Sequence, residues 1–150
     1  MAEPLACEEA SSWHLHASAV AWAGRGVLLL GPSGVGKSSL LARLLAAGAW
    51  LVADDLVKVT RRGGMVCAEA VSPAGLIELR GNGIFRLVNT ERVRVSLCVE
   101  LLPAGTERER LPERRTTTIA DIAVPVLSLD AGDPAAVASI LIALAACRAG

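Results

Sequence analysis

The sequence predicts an α/β nucleotide-binding domain in which mixed sheets carry one helix after a phosphate loop and a second helix at the C-terminus. Three observations carry this expectation. The apolar run Val27 to Leu30 leads into Gly31-Pro32-Ser33-Gly34-Val35-Gly36-Lys37-Ser38 and then into a helix-forming run, Ser39 to Ala46. That is the strand, loop and helix setting that a G-x-x-x-x-G-K-S motif requires. Strand-like runs outnumber helix-like ones and several follow each other closely, which favours antiparallel pairing over regular strand–helix alternation. Near the end, Asp133 can cap and Pro134 can start a helix that runs to about Arg148.

In chain order, Trp13 to Trp22 and Val27 to Leu30 read as two strands joined by a glycine-containing turn, with His16 on the first. Gly48 stops the phosphate-loop helix, and Trp50-Leu51-Val52-Ala53 is a short strand ending at Asp54-Asp55. Leu56 to Thr60 turns at Arg61-Arg62-Gly63-Gly64 into Met65 to Ala70. Gly75 to Phe85 is a strand ending in a glycine-punctuated turn, and Val93 to Leu101 alternates as a sheet strand does. Pro103 to Thr118 is rich in Glu and Arg with little apolar content, so a solvated, mobile loop is expected there. A last strand spans Ile122 to Leu129, and no internal repeat is visible.

At 150 residues the chain fits one domain, 1–150, with residues 1–12 as an N-terminal extension. Lys+Arg and Asp+Glu are both 15, so there is no basic footprint for nucleic acid and no attraction to anionic lipid. Hydrophobic residues reach 53%, but charge, proline or glycine interrupts every apolar stretch short of membrane-spanning length. The N-terminus lacks a basic start and a long apolar core, so a cytoplasmic protein without a membrane partner is expected. Cys7, Cys67, Cys98 and Cys147 are scattered without metal-ligand spacing and read as reduced thiols.

Glycines let the 31–38 loop curl so that backbone N–H groups face phosphate oxygens, and the start of the following helix adds attraction. Lys37 would reach the terminal phosphates and Ser38 would offer its hydroxyl to Mg2+, with Gly31, Pro32, Ser33, Gly34, Val35, Gly36 and Ser39 around the nucleotide. Asp54-Asp55, at the carboxyl end of an apolar strand, supplies two acids. One can hold magnesium while the other accepts a proton from an attacking hydroxyl. Glu78 and Arg80 alternate with Leu79, so on a strand they share a face and could supply a metal carboxylate and a phosphate-binding guanidinium.

His16, the loop at Gly31 to Ser38, L-V-A-D-D at Leu51 to Asp55 and L-I-E-L-R-G-N-G-I at Leu76 to Ile84 together resemble the catalytic domain of the bacterial HPr kinase/phosphorylase family. The last segment is similar to that family's signature, I-E-I-R-G-L-G-I. The resemblance implies a fold of the HPr kinase and phosphoenolpyruvate carboxykinase type, in a short form holding only the C-terminal catalytic domain. It implies ATP-dependent phosphorylation of a serine on HPr, a small phosphocarrier of a phosphotransferase system, in a homo-oligomer, with a hexamer as the family's form.

Carried over by position, Lys37 holds the β- and γ-phosphates, Ser38 and Glu78 bind magnesium, Asp55 is the base and Asp54 supports it at the metal. His16 matches the family's active-site histidine and Arg110 its mobile-loop arginine. From Pro125 to Pro134 the chain lacks the basic P-V-(K/R)-x-G pattern, which puts reverse phosphorolysis in question. A nucleotide-binding switch without phosphotransfer, or a small-molecule kinase, are the alternatives; Asp55 and Glu78, which a switch does not need, favour a kinase.

Overall fold

The computed structural model describes residues 11–71 and 75–146. Residues 1–10 of the expected extension, Cys7, Cys147 and Arg148 lie outside them. Eleven strands and two helices follow in the order β1 (Ser12–Leu15), β2 (Ala17–Trp22), β3 (Arg25–Leu30), α1 (Lys37–Ala46), β4 (Trp50–Ala53), β5 (Val57–Arg62), β6 (Met65–Ala70), β7 (Leu76–Leu79), β8 (Gly83–Arg86), β9 (Arg92–Leu102), β10 (Arg115–Ile119), β11 (Ile122–Asp130) and α2 (Ala136–Ala145). Nine strands form one curled sheet in the order β1-β5-β6-β9-β3-β2-β4, from which β11 and then β10 branch at β9. The β7–β8 hairpin stands apart.

Only the β3–β9 and β9–β11 pairs are parallel, so the sheet is mixed as predicted. β9 is its spine, pairing with β6 through Arg92, Val93 and Arg94 and with both β3 and β11 further along. The register jumps from Gly26↔Val95 to Val27↔Leu97, which leaves Ser96 as a bulge. That extra residue reverses which face each side chain meets. Val93 and Val95 join one apolar cluster with β5, β6 and β11, whereas Leu97, Val99 and Leu101 join the other, with α1 and α2. Gly26 is fixed by the crossing, because a Cβ there would sit 2.6 Å from Val93 Cγ1 and 2.7 Å from the Arg94 carbonyl oxygen.

α1 buries Leu40, Leu41 and Leu44 on one stripe against the sheet, and α2 buries Ala136, Ile140 and Leu144 beside it. Arg25, at the start of β3, donates to the Leu144 carbonyl and ties the end of α2 to the sheet.

Four expectations need correction. His16 is not on a strand but in the bend between β1 and β2, because the stretch expected as one strand serves two partners: β1 pairs with β5 and β2 with β3 and β4. The expected 103–118 loop ends earlier, since Arg115–Ile119 is a strand along β11, with Ser12 likewise leaving the expected extension to begin β1. α2 starts two residues later than the proline suggested. Asp133 Oδ1 still accepts the Ala135 N–H at 2.8 Å, an Asx turn before the helix and not a cap on it.

Candidate active site

The site forms at one end of the sheet because β2 runs antiparallel to both of its neighbours. Ala17 pairs with Leu30, the last residue before the phosphate loop, while Ala19 pairs with Ala53, the last before Asp54-Asp55. The start of β2 and the ends of β3 and β4 therefore converge, bringing His16, the loop and the acidic pair to one edge. His16 is exposed in the bend beside Gly31.

Gly34 and Gly36 take φ of +83° and +107°, which lets the loop wind tightly into α1. No side chain caps the first turn of α1, so its leading N–H groups remain available to an anion. Lys37 is 8% exposed, and its Nζ donates to the carbonyls of Gly31 and, at 3.2 Å, Pro32. With its stem buried and its ammonium folded over the loop's own carbonyls, this lysine is poised to exchange those partners for phosphate oxygens. Ser38 and Ser39, at the start of α1, are exposed.

Ser18, on β2, is 1% exposed and joins the two acids. Its hydroxyl accepts the Asp55 backbone N–H at 3.2 Å and donates to Asp54 Oδ1 at 3.4 Å. Asp55 itself is exposed and held at φ +65°, a left-handed conformation that a non-glycine residue keeps only where its surroundings impose it. Burial pushes the Asp54 carboxyl above its ordinary range. Hydrogen bonds from the Glu78 backbone and from Ser18 pull it part of the way back, and the like charges of Asp55 and Glu78 raise it further.

Glu78 of the β7–β8 hairpin thus lies beside Asp54, which follows β4 of the large sheet. It is exposed on β7, and its cross-strand partner is Ile84 of β8. Arg80 follows β7 and is exposed, with no hydrogen bond or ion pair among the described residues. Arg110 is likewise exposed and unpaired among them. Its neighbour Arg108 is engaged, donating to the Ser128 carbonyl at 2.7 Å and to Asp133 Oδ2 at 3.4 Å. The structure therefore brings together His16, the loop, Asp54, Asp55 and Glu78, and leaves Arg80 and Arg110 at the surface.

Among the described residues, no three carboxylates, histidines or thiols converge as a ready metal cage. The grouping nevertheless suits magnesium, which takes hard oxygen donors, keeps several waters and is held by one or two carboxylates together with substrate phosphates. Asp54, crowded by two like charges, is where a cation would relieve most repulsion.

Sequence reasoning missed Ser18. A lone hydroxyl inside the apolar run Ala17-Ser18-Ala19-Val20-Ala21 was the available signal, since a buried polar side chain must find partners. The loop itself, from Pro32 to Gly36 with Ser39, walls one side of a cavity of about 550 Å³, and sequence reasoning missed only the other side, made by Pro103, Ala104, Asp130, Ala131 and Gly132. The sequence carried no signal for that second side, because its segments lie far from the loop in the chain.

Comparison with known proteins bears on the family and the fold. The family model described as the HPr serine kinase C-terminal domain matches residues 8–149. An HPr kinase/phosphorylase of Chloroherpeton thalassium is 35% identical over 77% of this chain and 38% of its own length. One from Aromatoleum aromaticum is 39% identical over 69% of the chain and 37% of its own length. The chain thus spans less than two fifths of these relatives. In fold it matches the structure of the Hpr(Ser) kinase/phosphatase from Coxiella burnetii with a TM-score of 0.75, over 89% of this chain and 88% of that one, at 24% identity. With a matched model over nearly its whole length, the chain belongs to the HPr serine kinase C-terminal domain family.

Proposed function

We propose that this domain transfers the terminal phosphoryl group of ATP to a serine hydroxyl on an HPr-type phosphocarrier protein. The observation that carries the reading is the convergence of a phosphate loop with the Asp54, Asp55 and Glu78 carboxylates at one open edge of the sheet. A loop that only held a nucleotide for switching would need no carboxylate exposed toward an external hydroxyl, and Asp55 is one.

In this reading Lys37 leaves the Gly31 and Pro32 carbonyls for the β- and γ-phosphates, while loop N–H groups and the start of α1 hold the remaining charge. Ser38, Asp54 and Glu78 hold Mg2+, which when bound neutralises charge developing on the transferred group. Asp55 accepts the proton of the attacking serine, its carboxylate aimed by the strained φ and by the N–H held on Ser18. His16 lies at the same edge to orient the acceptor, and Arg80 and Arg110 are drawn toward phosphate from the surface. The acceptor is a protein because the edge is open.

The reverse phosphorolysis is weak or absent in this proposal. Residues 125–134 contain no lysine or arginine, and Asp130 and Asp133 stand there instead, so inorganic phosphate meets no cation from this segment. The proteins that the chain resembles are named kinase/phosphorylase, so a one-way reaction would set this chain apart from those names.

Incubation with magnesium, labelled ATP and an HPr-type protein tests the reading. Label should appear on a carrier serine, and Asp55→Asn should slow the transfer by roughly 10²–10⁴-fold, the usual weight of a general base. Asparagine tolerates a left-handed φ, so this variant should keep its fold. Tight nucleotide binding with no transfer would favour the switch. Release of the label from phosphorylated carrier by inorganic phosphate at a rate matching the forward reaction would refute the one-way reading.

A further inference from the structure

The β7–β8 hairpin carries Glu78 to the acids, and its far side has no part in the chemistry above. Main-chain groups in an antiparallel pair alternate between pointing at the partner strand and pointing away from it. The Leu87 N–H donates to the Gly75 carbonyl at 2.7 Å, so those two residues point inward, and two positions along the register so do Ile77 and Phe85. Glu78 with Ile84, and Leu76 with Arg86, therefore point outward. The hydrogen bond from the Glu78 backbone to Asp54 agrees, since only an outward N–H can reach it. One edge of the hairpin thus faces the acids.

The other edge is open. β8 pairs with β7 alone, so among the described residues the outward N–H and C=O groups of Ile84 and Arg86 meet no strand. Proteins guard such an edge with charge, proline, a bulge or a covering segment, because it templates pairing with another chain. Gly83, Ile84 and Phe85 supply no charge and no proline, and the register of β8 contains no bulge. Every residue of β8 is exposed, Ile84 by 71%. Arg86 lies on the same face as Ile84 and makes no hydrogen bond or ion pair among the described residues.

An open edge takes up an extended segment through main-chain hydrogen bonds, and alternate side chains supply the specificity. Its position says whose segment. Cα atoms of an outward-pointing pair sit about 4.5 Å apart, so Ile84 is the immediate neighbour of Glu78. Strands lie about 4.8 Å apart, which puts a segment added to β8 about 10 Å from β7 and its Glu78. We propose that the protein acceptor docks by adding an extended segment to the free edge of β8, from where its hydroxyl-bearing residue reaches the acids. Two positions of that segment, one residue apart, face Ile84 and Arg86, and an apolar and an acidic side chain complement them. This rests on the reading of a protein acceptor and names the surface that selects it. The loop and the acids act on a hydroxyl, and β8 determines which protein presents one.

Amide hydrogen exchange followed by NMR tests it, with an HPr-type carrier added to the full chain in magnesium and ADP. The Ile84 and Arg86 N–H groups should exchange at least about tenfold more slowly with the carrier present, while that of Phe85, already bonded inward, changes little. In phosphorylation assays, Arg86→Pro removes an outward N–H that the fold does not use, and Ile84→Ser removes the apolar contact. Each should raise KM for the carrier at least about fivefold and leave kcat and KM for ATP within about twofold. A preserved kcat also shows that the hairpin still presents Glu78. Should Arg86→Pro lower kcat, the proline has bent the hairpin, and Ile84→Ser, which leaves the main chain alone, decides. Carrier binding without protection of either amide, or an unaltered carrier KM in Ile84→Ser, would overturn the proposal. So would protection that rises with the protein's own concentration in the absence of carrier, since a second copy then occupies the edge. Protection of both amides without label on the carrier sinks only the kinase reading, and label transfer without protection sinks only the docking edge. A carrier that neither binds nor accepts label overturns both.

Discussion

Asp54 shows how a site of this kind works against the fold that holds it. Burial raises its carboxyl above the ordinary value of 3.8, and Asp55 and Glu78 add repulsion. Ionisation in the folded chain is thus disfavoured relative to the unfolded chain. The stability this acid contributes is fully present below pH 3.8 and is lost as pH rises through its higher folded value. Asp54→Asn, which cannot ionise, should therefore melt above the wild type at neutral pH, and the gap should close as the pH falls toward 3.8. Thermal melts followed by circular dichroism across that range would show it; a gap independent of pH would mean that the carboxylate is not the cause. Ser18→Ala should act in the opposite sense. It leaves the Asp55 N–H and Asp54 without their shared partner, a loss of about 1–3 kcal/mol. These residues mark the limit of what was legible in the sequence. The loop and the acidic pair could be read because their chemistry is local. Ser18 left only a lone hydroxyl in an apolar run as its signal, and Glu78 joined Asp54 only through the family resemblance, since both placements depend on which strands end together.

Among the elements, α1 carries the loop and much of the stability. Leu40, Leu41 and Leu44 are fully buried beneath it, so Leu44→Ala should cost about 2–5 kcal/mol in urea unfolding. By contrast the Arg115–Glu100 pair at 3.0 Å joins β10 to β9 with side chains 60% and 45% exposed. Arg115→Ala should cost less than about 1 kcal/mol, because exposed pairs are screened and entropically loose. A loss for Arg115→Ala comparable with that for Leu44→Ala would show that this pair, and not the apolar stripe, anchors the sheet. β10 also explains why Pro103 to Thr118 misled. Its charge resembles that of a loop, yet Thr116, Thr117 and Thr118 pair with Pro125, Val124 and Ala123, where branched side chains favour the extended backbone. His16 misled for the reverse reason. The run around it reads as one strand, and only the demand that β1 and β2 take different partners breaks it.

At the scale of the whole molecule, site and core are linked through β9, and Cys98 reports on that link. It is 0% exposed, it faces Leu28 of β3 on one side and Val126 of β11 on the other, and burial pushes its thiol up to about 12. A thiol so placed forms little thiolate and has no route to solvent short of parting the parallel strands. Its alkylation should therefore follow global unfolding and not local opening. The phosphate loop grows directly from β3, so a ligand there stabilises the same unit. With ATP and magnesium at about 100 times the dissociation constant, only the folded form binds, and the alkylation rate should fall about 100-fold if opening is at equilibrium. Mass spectrometry of the Cys98 peptide with iodoacetamide measures this. If labelling were fast in the folded protein, or indifferent to ATP while nucleotide demonstrably bound, then β9 would open independently of the site. The sheet would not then be the cooperative unit that its shared strand makes it.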